Sequence, residues 1–222
     1  MTSSQIIDQL KQLSNASYLN GMQRFGIDSS KALGVKLPDL RKLAKRIKKN
    51  HQLALELWAT GIHEARILAS LVDDPKLVTP QQMDIWANDF SSWDVCDQVC
   101  GNLFDRTPYA IDKALEYSRS EKEFVKRTGF VLMAEFAVHD KKADDLEFIR
   151  FFPVIEREAW DDRNFVKKAV NWALRQIGKR NPALNYLAVE IAKQIALQNS
   201  RSAKWIAQNA LSELQKWKPK QL

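Results

Sequence analysis

Apolar residues recur at three- and four-residue spacing along almost the whole chain, the period that returns side chains to one face of an α-helix. Ile6, Leu10 and Leu13 mark a first helix and the stretch from Tyr18 to Phe25 a second. Pro38 opens a third, carried by Leu40, Leu43, Ala44 and Ile47. Proline suits a first helical turn because its missing N–H would find no intrahelical partner there. Beyond Asn50 the pattern predicts helices over 52–60, 64–72, 80–90, 93–104, 108–118, 121–138, 145–158, 164–179, 182–197 and 202–216. Gly, Asn, Pro or Asp-Asp signals separate them, and Pro80, Pro108 and Pro182 each begin the outer member of a pair. No convincing strand is found.

The second members of these pairs echo one another. Phe124-Val125-Lys126-Arg127 recurs 41 residues later as Phe165-Val166-Lys167-Lys168, a period within the about 40–47 residues of two-helix HEAT or armadillo units. Aligning these helices puts Arg66, Asp97, Arg127 and Lys168 at one equivalent position in four successive units. In an α-solenoid such positions form a stripe across the concave surface. The fold class expected is therefore all-α: one solenoid of HEAT-like antiparallel helix pairs over 1–222, with residues 1–50 as a helical cap, 51–222 as the repeats, and a basic concave groove.

Composition sharpens this picture. The chain holds only 7 Gly and 7 Pro in 222 residues, about half the usual share, which argues against turn-rich sandwiches and barrels. A 45% hydrophobic content is enough for a sizeable core. Met1 to Gln9 carry no basic and apolar leader pattern, and no run of about 18 apolar residues occurs. A cytoplasmic, monomeric protein without a membrane segment is expected. Cys96 and Cys100 share a helix face with no histidine nearby and read as buried thiols. The net charge of +7 brings in nucleic acid, because cations that neutralise phosphates release counterions.

The candidate chemistry sits on the stripe. Trp93 lies four residues before Asp97 and Trp172 four after Lys168, so both indoles share a helix face with it. Trp58, Trp86 and Trp205 fit apolar faces and are assigned to packing. There is no Gly-rich phosphate loop, no HExxH and no Ser/His/Asp order, and His51, His63 and His139 stand apart. No cofactor or metal is expected. Chemistry on such a surface must need little apparatus. A purine alkylated at N3 or N7 is already cationic and leaves without a general acid. One carboxylate, Asp97, could stabilise the developing sugar cation and orient water, with aromatic faces at Trp93 and Trp172 adding cation–π attraction.

At these residues the sequence resembles the AlkD family of HEAT-like-repeat DNA glycosylases. Trp93-Asp94-Val95-Cys96-Asp97 is similar to the family's Trp-Asp-x-x-Asp segment, Phe124 to Leu132 to the segment around its functional arginine, and Phe165 to Arg175 to its helix with a second tryptophan. Ser17-Tyr18-Leu19-Asn20 resembles its first DNA-proximal helix. The resemblance implies Asp97 as catalytic carboxylate, Trp93 and Trp172 as lesion-proximal aromatics, and Arg127 and Tyr18 as DNA contacts. Lys168, Arg175 and Arg66 complete the expected DNA-binding set. It further implies excision of N3- and N7-alkylated purines from duplex DNA, leaving an abasic site, without strand cleavage. Two departures stand out: a longer segment between Arg127 and Trp172, and Gly21-Met22 where a more basic helix is expected. The alternatives are a non-catalytic DNA-structure binder, with Asp97 a salt-bridge partner, and a protein-interaction scaffold, a common use of solenoids.

Overall fold

A computed structural model describes residues 1–219, and every regular element among them is helical. The chain divides into two compact units, Met1–Thr107 and Pro108–Leu222.

In the first unit, α1 (Ser3–Gln12) opens on a capping box: the Gln5 N–H donates to the Thr2 hydroxyl and the Thr2 N–H to the Gln5 side chain. Asn15, Asn50 and Thr79 cap α2 (Ala16–Met22), α4 (His51–Ala59) and α6 (Pro80–Asn88), each accepting the N–H three residues ahead. A 3-10 turn, Gln23–Phe25, extends α2 and stops at Gly26, whose φ of 71° places it in the left-handed region. α3 (Leu37–Ile47) carries Pro38 in its first turn. With α5 (His63–Val72) and α7 (Trp93–Asn102) it forms a row in which α5 is the middle member, and α4 pairs with α5. Leu57, Leu68 and Met83 fill the core without solvent exposure. Each such side chain is worth about 1.5–3 kcal/mol of burial. The Trp58 and Trp86 indoles stack with centroids 3.9 Å apart.

The second unit repeats the plan. α8 (Ala110–Tyr117) pairs with α9 (Glu123–His139), and α9 packs on α12 (Asn164–Gly178). α12 in turn meets α13 (Pro182–Ala196) and α14 (Arg201–Leu214). Gly129 permits the α8–α9 approach: a Cβ there would lie 2.6 Å from the Ser118 nitrogen and 2.8 Å from the Ala114 carbonyl oxygen.

Three expectations are corrected. The single helix expected over 145–158 is two, α10 (Asp145–Ile149) and α11 (Phe152–Glu158). Pro153 sits in the first turn of α11, where it has no N–H to continue a helix from upstream, and buried Phe148, Phe151 and Phe152 hold the corner. The helix expected from Pro108 begins at Ala110. Trp58 and Trp86 are core, but Trp205 is 37% exposed and carries the Lys167 ammonium 5.2 Å from its ring centroid. Cys96 and Cys100 are buried free thiols.

Candidate nucleic-acid interface

α7 begins at Trp93 because Ser92 is the last extended residue before it. The Ser92 hydroxyl donates to Asp94 Oδ1 at 2.5 Å instead of capping the helix. Asp94, in the first turn, also pairs with His63 Nε2 at 2.8 Å, joining the starts of α5 and α7. Burial alone would raise the Asp94 carboxyl, but the His63 bond and charge, the Ser92 hydroxyl and the Val95 N–H outweigh it and hold the group below the usual carboxylate range. Asp94 is thus a positioning group, not a spare acid.

Its neighbour faces another way. The Trp93 indole N–H donates to the Phe25 carbonyl at 2.9 Å, tying α7 to the 3-10 turn after α2. One turn on, Asp97 is half-buried on the same side of α7. On adjacent α5, the Arg66 guanidinium donates to the Asp89 carbonyl at 2.9 Å and lies 4.9 Å from the Trp58 ring centroid. Arg66 therefore holds the α6–α7 loop, and its Nε is buried without a partner.

Glu64 completes this end of the unit. Its carboxylate, 1% exposed, accepts the N–H groups of Leu33 at 2.8 Å, Gly34 at 2.6 Å and Val35 at 3.2 Å. His63 and Glu64, adjacent in sequence, thereby fasten both α7 and the loop before α3 to the first turn of α5. Neither role was legible in the sequence, where His63 is isolated and Glu64 is one acid among many. The signal available was position alone: acids favour first helical turns.

In the second unit, Arg127 is only 5% exposed, and its Nη1 donates to the Phe165 carbonyl at 2.6 Å. It ties α9 to α12. Lys168 is exposed. Trp172, one turn on, is half-buried. Arg175 pairs with Glu213, which also binds Lys179 at 2.7 Å, so one carboxylate on α14 engages a cation of the expected groove together with its neighbour one turn on. Before the start of α12, Lys126 is buried between Glu158 at 2.8 Å and Asp161 at 3.2 Å. Tyr18, on α2 of the first unit, is 45% exposed. The structure thus groups Trp93, Asp97 and Arg66 on neighbouring helices of one unit, and Arg127, Lys168, Trp172 and Arg175 on neighbouring helices of the other.

Among the described residues no three His, Cys, Asp or Glu side chains gather as a metal site would require. No helix among them is long and apolar enough to cross a membrane.

Successive antiparallel helix pairs define a helical-repeat protein, and sequence comparison gives its family. The chain belongs to the DNA alkylation repair enzyme family, which it matches over residues 6–214. An uncharacterized protein of Listeria innocua is 25% identical over 199 residues, spanning 88% of this chain and 87% of that one. A second, from Listeria monocytogenes, is 24% identical over the same length. A solved structure described as a new family related to the HEAT-like repeat DNA glycosylases, with affinity for branched DNA structures, has the same fold. It superposes with a TM-score of 0.79 at 20% identity, covering 100% of this chain and 99% of that one.

Proposed function

We propose that the protein is a DNA glycosylase that releases cationic N3- and N7-alkylated purines from duplex DNA. The observation that carries this reading is Asp97, a carboxylate set half-buried one turn beyond Trp93 on a helix whose start is fixed by His63, Asp94 and the Phe25 carbonyl. The alkylpurine departs with the electron pair of the C1′–N bond and becomes neutral, while positive charge develops on the sugar. The Asp97 carboxylate stabilises that charge and orients the water whose oxygen bonds C1′, and the water's proton is lost to solvent. Trp93, one turn from Asp97 on α7, supplies an aromatic face toward that cation. Lys168 supplies phosphate contact. The test is a panel of duplexes carrying 7-methylguanine, 3-methyladenine or a neutral alkylated base. Release of the two cationic bases, and not of the neutral one, is expected.

A second reading is supported by one specific observation: the structurally similar family is described by its affinity for branched DNA. Under it the protein binds branched DNA without excision. Salt-sensitive binding to a three-way junction, with no base released from any duplex of the panel, would select it.

A further inference from the structure

Gly21 and Met22 stand where a DNA-facing helix is expected to be more basic, and the structure gives that departure a shape. Beside Gly21 lies a notch of about 300 Å³ between the side chains of Tyr18 and Phe25, at the small end of the about 300–1,000 Å³ of ligand sites. Met22 and Ile27, both buried, form its apolar floor. Tyr18 is 45% exposed, and Phe25, at the tip of the 3-10 turn, is 68% exposed. Large aromatics left in water around an apolar floor mark a surface built to be covered.

The occupant is constrained by chemistry. Lys36 lines the rim, Arg24 is exposed next to Phe25, and no carboxylate lines the notch. A flat apolar group joined to an anion fits both features. The Phe25 carbonyl receives the Trp93 indole N–H, so the notch is fastened to the start of α7, one turn from Asp97. A lysine-rimmed pair of aromatics on a protein of net charge +7 meets the requirements of a base-stacking platform, since every nucleobase offers a π-face and its backbone offers phosphate.

We infer that the notch over Gly21 receives an unpaired nucleobase of bound DNA, stacked against Tyr18 and Phe25 with its flanking phosphate on Lys36. The inference rests on the DNA-binding reading above but not on catalysis. Gly21 explains itself on this account, because any side chain there would occupy the notch. A Cβ at Gly21 meets nothing within 4 Å. Gly21 lies inside α2, where replacement by a better helix former favours folding.

Gly21→Leu therefore blocks the notch while sparing the fold, and Phe25→Ala removes one wall. The probe is a duplex with a single bulged 2-aminopurine, set against the same sequence fully paired. Wild type is expected to quench the bulged probe on binding and to prefer it over the paired duplex. Both variants are expected to lose about tenfold or more of that affinity, the scale of removing one stacking aromatic, and to bind the paired duplex as wild type does. Equal affinity of wild type for the bulged and paired duplexes, or full retention of the preference by Gly21→Leu, overturns the notch and leaves the DNA-binding reading standing. Failure of wild type to bind either duplex at low salt overturns both.

Discussion

Replacing Glu64 with alanine removes the single acceptor shared by three consecutive backbone N–H groups, at 2.8, 2.6 and 3.2 Å. The loop they belong to leads from the 3-10 turn into α3 and crosses Gly34 at φ 76°. A buried donor left unpaired costs about 1–3 kcal/mol. Water entering the vacated space repairs part of the loss, so the expected destabilisation is about 3–5 kcal/mol rather than the full sum. Glu64→Gln tests the geometry further. Its carbonyl can keep the Gly34 and Val35 bonds, made to one oxygen, while its amide confronts the Leu33 N–H, made to the other. One charge-assisted bond is lost, about 1.5–3 kcal/mol. The assay is urea unfolding followed by tryptophan fluorescence, with hydrogen exchange at the amides of residues 33–35. The order wild type, Gln, Ala is expected, with exchange at those amides accelerated first. An alanine variant within about 1 kcal/mol of wild type, no more than one ordinary hydrogen bond contributes, would refute the clamp. Protection retained at residues 33–35 in that variant would do the same.

Other outcomes follow from the same contacts. Lys126→Met leaves Glu158 and Asp161 to Arg157 and Arg163 alone, and urea unfolding is expected to show a loss below the about 3–5 kcal/mol of a buried charge left with no partner. Glu213→Gln releases Arg175 and Lys179, so affinity for duplex DNA rises and its salt dependence steepens. Lys168→Glu, by contrast, flattens the salt slope by about one. Acid stability follows from Asp94 and Asp161. Burial opposes ionisation of both, yet His63 at Asp94, and Arg163 and Lys126 at Asp161, hold each below its ordinary value. Unfolded, an aspartate titrates near about pH 3.9. Their stabilisation is therefore complete above that pH and is lost as the pH falls through the lower folded values. In unfolding measured from pH 7 downward, Asp94→Asn is expected to lower stability at neutral pH and to lose less than wild type on acidification.

The helices were legible because their apolar period is long and regular and their boundaries are explicit: Pro38, Asn50, Pro80 and Pro182 stand at helix starts. The break between α10 and α11 was not, although Pro153 signals it, because the apolar pattern of Leu146, Phe148, Phe151, Phe152 and Ile155 runs through the corner. Trp93 and Asp97 were legible as neighbours since four residues make one turn of α7. What their surroundings do was not. Glu64 reaches residues about 30 positions away, Trp93 bonds a carbonyl 68 positions away, and Arg127 a carbonyl 38 away. A backbone donor or acceptor has no side-chain identity, so no residue type announces such a partner. Charge alone also misled in one respect: it marked Arg175 as a groove cation but gave no sign that Glu213, on α14, would neutralise it.

The central claim is that Asp97 acts in breaking the glycosidic bond. Its most direct test is single-turnover release of 7-methylguanine from methylated duplex DNA, with wild type and Asp97→Asn compared at saturating protein. Asparagine keeps the size of the side chain and removes its charge. Loss of one preorganised electrostatic contact costs about 10²–10³ in rate, so wild type is expected to release the base and the variant to be slower by about that factor, with DNA affinity retained. Equal rates in the two proteins would contradict the claim.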